Sequence, residues 1–329
     1  MKALITGITG QDGAYLSKLL LDKGYDVIGI TRDTSDIRTT NLRYLGIDKD
    51  IELVKANLLD LSNILRLMSE YKPDEMYNLA AQSSVGLSFE QPIGTLEFNI
   101  ISTANMLEAI RNASAGTRFY NASSSEMYGK IKPENLPVTE ETVLHPVSPY
   151  SISKASAHWI TVNYREAYDL FAVCGILFNH ESALRGENFV TKKILEGAVK
   201  IKKGLQDDIT LGNLDVSRDW GYAPEYIKAM WLMLQQDKAD DYIICSGEAN
   251  TLEDFTRKVC EKTGIDYDEK VKFSKKFYRP VELEIIYGDN SKAKEGLNWD
   301  YNISFDELIE KLVEDEEKFF EWKQSNKAY

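Results

Sequence analysis

Cysteine is scarce in this chain of 329 residues, and that scarcity excludes two kinds of protein. Cys174, Cys245 and Cys260 lie far apart, each in an apolar or helical stretch, which argues against a disulfide framework and against a zinc site, so no metal is expected. Long apolar runs are missing too: nothing approaches the roughly 18–20 residues of a membrane-spanning helix. The opening MKALITGITG reads as a strand entering a Gly-rich turn rather than as a signal peptide. A cytoplasmic protein with no membrane attachment is the expectation. Excess positive charge is also lacking. With 39 basic against 52 acidic side chains the net charge is -13, which excludes a diffuse basic surface for nucleic acid or anionic lipid. Any phosphate in a ligand must then be held by a few placed groups. Part of the acidic bias falls in VEDEEKFFEW near the end of the chain, which reads as one solvated helix face.

What is present is alternation. KALITG (2–7), DVIGIT (26–31), IELVKA (51–56), EMYNLA (75–80), RFYNAS (118–123) and FAVCGILF (171–178) are short segments rich in β-branched and aromatic residues. Between most of them lie stretches of helical length and period, at 14–23, 60–71, 97–112 and 150–168. Such alternation predicts an α/β fold, a doubly wound parallel sheet of Rossmann type. After residue 180 the pattern loosens into helical stretches near 190–203, 223–236, 251–263 and 304–322 with isolated strands such as YIICS at 242–246. No Pro/Gly/Ser-rich linker divides the chain. The expectation is a dinucleotide-binding domain over 1–178, joined by a returning segment near 217–247, and a smaller α/β substrate-binding lobe from 179–216 and 248–329.

The first chemical signal is GITGQDG, where Gly7, Gly10 and Gly13 stand between the first strand and the first helix. Glycines let the backbone turn tightly and approach a pyrophosphate, whose charge then meets the helix N-terminus. The second strand ends in GITRD. An acidic residue at position 31 would suit the ribose hydroxyls of NAD, whereas Thr31 followed by Arg32 suits the 2′-phosphate of NADP, although Asp33 stands beside it. The second signal is SPYSISKASAHW. Tyr150 and Lys154, four residues apart, share one face of a helix that Ser148 and Pro149 can start. A phenol of pKa about 10 is a poor base at neutral pH, and an ammonium held near it stabilises the phenolate. His158, further along the same stretch, reads as a packed histidine.

Together with the Ser-rich YNASSSEMYG upstream, these motifs resemble the short-chain dehydrogenase/reductase superfamily in its extended, nucleotide-sugar form. LITGITGQDGAYL, YNLAAQSSV, GILFNHES, RGENFVTKKI, LGNLDVSRDWGYAPEYIKAMWLMLQ and FYRPVE extend the likeness over most of the chain, and it is similar to the GDP-mannose 4,6-dehydratase family. That resemblance implies a hydro-lyase in which NADP accepts a hydride from C4 of a GDP-linked sugar, C6 loses its hydroxyl, and the hydride returns to C6. It implies Ser124 as the hydroxyl that bonds the 4-OH, Tyr150 as its base, Lys154 as the activator of Tyr150, and Glu126 as the base at C5. Around the cofactor it implies Gly7, Thr9, Gly10, Gln11, Asp12 and Gly13, then Arg32, Asn57, Leu58, Leu79, Ala81, Ser83, Tyr150, Lys154, His180 and Arg185. Around the substrate it implies Ser83, Ser124, Glu126, Asn179, Arg218 and Arg279. A homodimer or homotetramer follows from the same likeness.

The chain departs from the family pattern at several points. Asn57 replaces an aspartate after the third strand, Ala183 and Leu184 replace Pro-Arg, Ser84 replaces a histidine, and the segment after Arg32 is short. Loss of bulk at Leu184 and Ser84 leaves GDP-manno-heptose open beside GDP-mannose as substrate. A nucleotide-sugar 4-reductase or epimerase, or a non-catalytic NADP-binding regulator, are further alternatives. Glu126 argues against the former pair, because neither reaction needs a C5 base, and the complete set of four argues against the regulator.

Overall fold

A computed structural model describes residues 1–32, 39–274 and 281–326. The first half alternates as β1 (Lys2–Thr6), α1 (Gln11–Asp22), β2 (Asp26–Thr31), α2 (Thr40–Tyr44), β3 (Glu52–Lys55), α3 (Leu61–Tyr71), β4 (Glu75–Asn78), α4 (Val85–Glu90), α5 (Pro92–Ala113), β5 (Arg118–Ser124), α6 (Pro149–Tyr168) and β6 (Ala172–Leu177). The second half carries short strands β7 (Asn179–Glu181), β8 (Ile209–Leu211), β9 (Ser217–Arg218) and β10 (Trp220–Tyr222), with α7 (Val190–Lys202) and α8 (Ala223–Leu234) among them. Then come β11 (Asp241–Ile244), β12 (Asn250–Thr251), α9 (Leu252–Thr263), α10 (Tyr267–Lys270), β13 (Val271–Phe273), β14 (Ile285–Ile286), α11 (Ser291–Leu297) and α12 (Phe305–Ser325).

The described residues form a seven-stranded parallel sheet in the order β11-β6-β5-β4-β1-β2-β3. Its inner strands are buried on both faces because helices cover both, with a few buried polar side chains such as Glu75, Asn78 and Asn121 among the apolar ones. On one face Ala14, Leu16 and Leu20 of α1 and Met230 and Met233 of α8 pack with Tyr77, Tyr120 and Val173 from the strands. On the other, Leu67 and Met68 of α3 and Met106, Leu107 and Ile110 of α5 pack with Leu4, Met76 and Phe119. A doubly wound sheet of the expected class results. β11 returns late in the chain to pair with β6, Tyr242 opposite Gly175. The Glu140 carboxylate accepts a hydrogen bond from Ile243 N at 2.8 Å along this outer strand.

A further core joins Leu195 and Ala198 of α7, Phe255 and Val259 of α9 and Leu308, Ile309 and Leu312 of α12, with Ile209 and Leu211 of β8 against them. β8 pairs with β13, and β9 pairs with both β12 and β14. Two helices start earlier than their periodicity suggests. α1 begins at Gln11 and takes Gly13 into its first turn, and α5 begins at Pro92, whose fixed φ and missing N–H suit a first helical position.

Candidate active site

The parallel strands end on one side of the sheet, and there the chain leaves a cleft of ≈ 1690 Å³ between the sheet and the second core. A crevice beyond the carboxyl ends of such strands is where open α/β sheets bind ligands.

Its floor is the turn from β1 to α1. Gly7 has φ +68°, and a Cβ there would sit 2.8 Å from Leu79 C in the next strand's exit. At Gly13 a Cβ would lie 2.4 Å from Gly7 O, so helix and turn touch backbone to backbone. The bare N-terminus of α1 thereby faces the cleft, and the cradle fits the pyrophosphate of a dinucleotide. Thr9, Gly10, Gln11 and Asp12 line it from below, and Arg32, Leu58, Leu79, Ala81 and Ser83 line the neighbouring strand ends. The Thr6 hydroxyl accepts hydrogen bonds from Leu79 N and Ala80 N at 3.1 and 3.0 Å, which ties the exit of β4 to β1.

Gln11 and Asp12 do more than line a turn. Gln11 Nε2 donates to His180 O at 3.1 Å and to Asp12 Oδ1 at 3.0 Å, and Ser182 Oγ donates to Gln11 Oε1 at 2.8 Å. His180 Nε2 stands 3.0 and 3.1 Å from the two Asp12 carboxylate oxygens, and its Nδ1 2.7 Å from Phe178 O. Burial acts to raise the pKa of Asp12, but His180, Gln11 and Arg185 together outweigh it and hold the carboxyl at about 2. This Gly-rich turn is thus locked to β7, whose first residue, Asn179, also lines the cleft.

The opposite wall is the exit of β5 and the start of α6. Ser148 and Ser151 form a reciprocal capping box and Pro149 occupies the first turn, so α6 begins firmly just before Tyr150. Ser124, Glu126, Tyr150 and Lys154 all line this wall. Ser124 faces the Tyr150 phenol, drawing its pKa down, and through Oγ caps Glu126 N at 3.3 Å. The half-buried Glu126 carboxylate makes no side-chain hydrogen bond or ion pair with any described residue and is open to the cleft. The expected lowering of the Tyr150 pKa is not found. Burial pushes it up to about 12, with Glu126 adding to the rise against the pull of Ser124 and Arg185. Lys154 Nζ donates to Ala122 O at 2.8 Å, lies 6.0 Å from the Tyr150 ring centroid, and is itself lowered by burial to about 8.

Arg185 pairs with Glu181 at 3.3 Å and stacks its guanidinium over Phe189 at 3.7 Å, at the cleft's edge. Arg218 lines the cleft and meets Glu282 at 3.3 Å. Three expectations fare differently. Asn57 does not line the cleft: it is exposed, and its side-chain Oδ1 accepts from Leu59 N at 3.1 Å within its own turn. Leu184 is buried in the apolar core, so the loss of an arginine there makes no room beside a sugar. Arg279, and Asp33 with the segment after Arg32, lie outside the described residues. Ser84 does line the cleft, where its Oγ caps α4 by accepting from Leu87 N at 3.3 Å. Sequence reasoning missed Asn99, which donates to Ser153 Oγ at 2.8 Å while Ser153 Oγ donates to Tyr150 O at 2.7 Å. Its signal is a stripe of buried polar residues on α5, namely Thr95, Asn99, Ser102 and Thr103.

A glycine-cradled helix end facing a Ser, Tyr and Lys set across the mouth of a parallel sheet defines a short-chain dehydrogenase/reductase. The family model for GDP-mannose 4,6 dehydratase matches residues 4–312. GDP-mannose 4,6 dehydratase 2 of Arabidopsis thaliana is 46% identical over 324 residues, spanning 95% of this chain and 86% of that one. The GDP-mannose 4,6 dehydratase of Homo sapiens is 42% identical over 339 residues, spanning 94% and 90%. The chain belongs to the GDP-mannose 4,6-dehydratase family. Among solved structures, dTDP-glucose 4,6-dehydratase from Bacillus anthracis in complex with NAD superposes with TM-score 0.84 at 21% identity over 98% of each chain. RMD from Pseudomonas aeruginosa complexed with NADPH gives 0.79 at 22% identity over 96% of this chain and 99% of that one. These two show the shared fold.

Proposed function

We propose that this chain performs GDP-mannose 4,6-dehydration with NADP that is recycled within each turnover. It is a hydro-lyase of its family, acting on a GDP-linked sugar with a nicotinamide cofactor. The observation that carries the reading is Glu126: a carboxylate with no partner among the described residues opens into the cleft two residues from Ser124, which faces Tyr150. Ser124 and Tyr150 grip the sugar's 4-hydroxyl, and Tyr150 takes its proton as C4 becomes a ketone. When bound, the dinucleotide would supply, in its oxidised form, the hydride acceptor for C4 and a positive charge beside Tyr150, and, in the reduced form so produced, the hydride donor for C6. The C4 ketone acidifies the C5 hydrogen. Glu126 removes that proton and protonates the 6-hydroxyl, which leaves as water. A proton returned to C5 then balances the hydride at C6.

In this reading residues 1–178 with the 217–247 segment bind the cofactor, and 179–216 with 248–329 bind the sugar nucleotide. The preference for NADP over NAD rests on Arg32, exposed at the cleft's edge where a 2′-phosphate would reach it. Arg32→Ala should weaken NADP binding far more than NAD binding in calorimetric titrations, and an equal loss of both would remove Arg32 from that role. The free, buried state of Cys174, Cys245 and Cys260 supports a cytoplasmic setting. A homo-oligomer is supported by Ile101, Ile152 and Trp159, which expose apolar side chains on α5 and α6.

The test is mass spectrometry of GDP-mannose incubated with purified protein and no added NADPH. Loss of one water from the sugar is expected. An isomer of unchanged mass would indicate a 4-epimerase, and an untouched substrate would refute the reading.

A further inference from the structure

α6 grips the end of β5 three times, once per turn. Tyr150 meets the Ser124 side chain, Lys154 Nζ bonds Ala122 O at 2.8 Å, and His158 Nδ1 shares a hydrogen bond of 3.1 Å with Ser123 Oγ. Residues 150, 154 and 158 stand four apart, so all three project from one helix face. The first two belong to the catalytic set; the third has no part in the chemistry, yet it is buried and fastened on its far side. His158 Nε2 lies 3.9 Å from Asp241 Oδ2 on β11. Asp241 in turn accepts two 2.8 Å hydrogen bonds from the Arg165 guanidinium and one of 2.9 Å from Cys174 N. The chain Ser123, His158, Asp241, Arg165 therefore runs from β5 across β6 to the edge of the sheet. Burial, with Arg165, lowers the pKa of His158 against the pull of Asp241, which favours the neutral ring.

We propose that His158 is a positioning residue for the oxidation at C4: through Ser123 it sets the backbone that presents Ser124 to the sugar and the Ala122 carbonyl to Lys154. Strand geometry explains the leverage. Ser123 lies between the two residues the catalytic pair touches, so a shift of its backbone moves both neighbours. A displacement of the order of 1 Å at reacting groups costs up to about 100-fold in rate. The proposal rests on the dehydratase reading for the reaction it assists.

The experiment compares His158→Leu, His158→Asn, Ser123→Ala and the Ser123→Ala/His158→Leu double variant with the wild type. It follows the reduced-cofactor absorbance of the first half-reaction, steady-state water loss, and GDP-mannose affinity. His158→Leu should lower kcat and the half-reaction rate about 10- to 100-fold while KM and GDP-mannose Kd stay within about 2-fold. His158→Asn, whose amide can still bond Ser123, should recover most of that loss. Ser123→Ala should lose as much as His158→Leu, and the double variant no more than either. Unchanged kcat in both single variants, additive losses in the double variant, or a Kd that rises in step with the loss of kcat would each overturn the proposal. Should His158→Leu not fold, Ser123→Ala and His158→Asn decide it on the same readouts. No turnover by the wild type would overturn the dehydratase reading and this proposal with it, whereas an active wild type with fully active variants would overturn this proposal alone.

Discussion

Glu126 and Lys154 show how one cleft assigns opposite conditions to two charges. Glu126 keeps access to the cleft, as the proposed base at C5 requires. Glu126→Gln should still permit C4 oxidation, so reduced-cofactor absorbance should build up on the enzyme while water loss falls about 100-fold or more. Stopped-flow absorbance beside product mass spectrometry checks this, and equal loss of both half-reactions would take the C5 role away from Glu126. Lys154 is buried as a cation, and its lowered pKa of about 8 records what that costs. Below pH 8 the ammonium is charged folded and unfolded, and the fold carries the full penalty. Between about 8 and 10.5 the folded protein gives up the proton first, so wild-type stability rises with pH in that window. Lys154→Met should therefore be more stable than the wild type by about 1–3 kcal/mol at pH 7, after allowing for the orphaned Ala122 carbonyl, and the advantage should shrink toward pH 10. Urea denaturation at both pH values measures it; a less stable variant at pH 7 would mean that the Nζ bond outweighs the burial. Ser124, Glu126, Tyr150 and Lys154 were legible as a set because their chemistry and spacing are local. Leu184 and Asn57 were not, because whether a side chain faces a cleft, a core or its own turn is decided by packing from elsewhere in the chain.

At the scale of elements, the sheet strands were legible because a strand covered on both faces is mostly apolar, and short runs such as ALIT and AVCGIL have few other homes. The helix starts were harder. Gly13 reads as a turn residue, yet it lies inside α1 because only a residue without Cβ lets that helix approach Gly7 O. Gly13→Ala puts a methyl within 2.7 Å of Ile8 Cα as well, and the backbone there has nowhere to retreat. The variant is expected to lose about 1–3 kcal/mol of stability and to bind the dinucleotide at least 10-fold more weakly, with far-ultraviolet circular dichroism unchanged. Thermal melts with and without cofactor test the two parts together, and a wild-type cofactor-induced shift would show that the turn tolerates the displacement. The two- and three-residue strands of the second half escaped sequence reading because windows that short carry no periodicity.

For the whole molecule, the apolar side chains left on the outer faces of α5 and α6 bear on assembly. Trp159 is 59% exposed, Ile152 and Ile101 44% each, and a tryptophan so placed is rare on a surface that meets only water. Trp159→Lys should shift the protein toward monomer in light scattering coupled to size-exclusion chromatography, while the monomer keeps its fold by circular dichroism. An unchanged mass would locate any interface elsewhere. The late return of β11 has a consequence for synthesis. β6 is complete at Leu177, but its outer neighbour begins only at Asp241, after α7, α8 and several short strands have emerged. At about 5–20 residues per second the ribosome leaves that flank of the growing sheet bare for several seconds. The Glu140 carboxylate that later receives Ile243 N has already emerged by then, so part of the socket for the last strand waits ready before the strand itself exists.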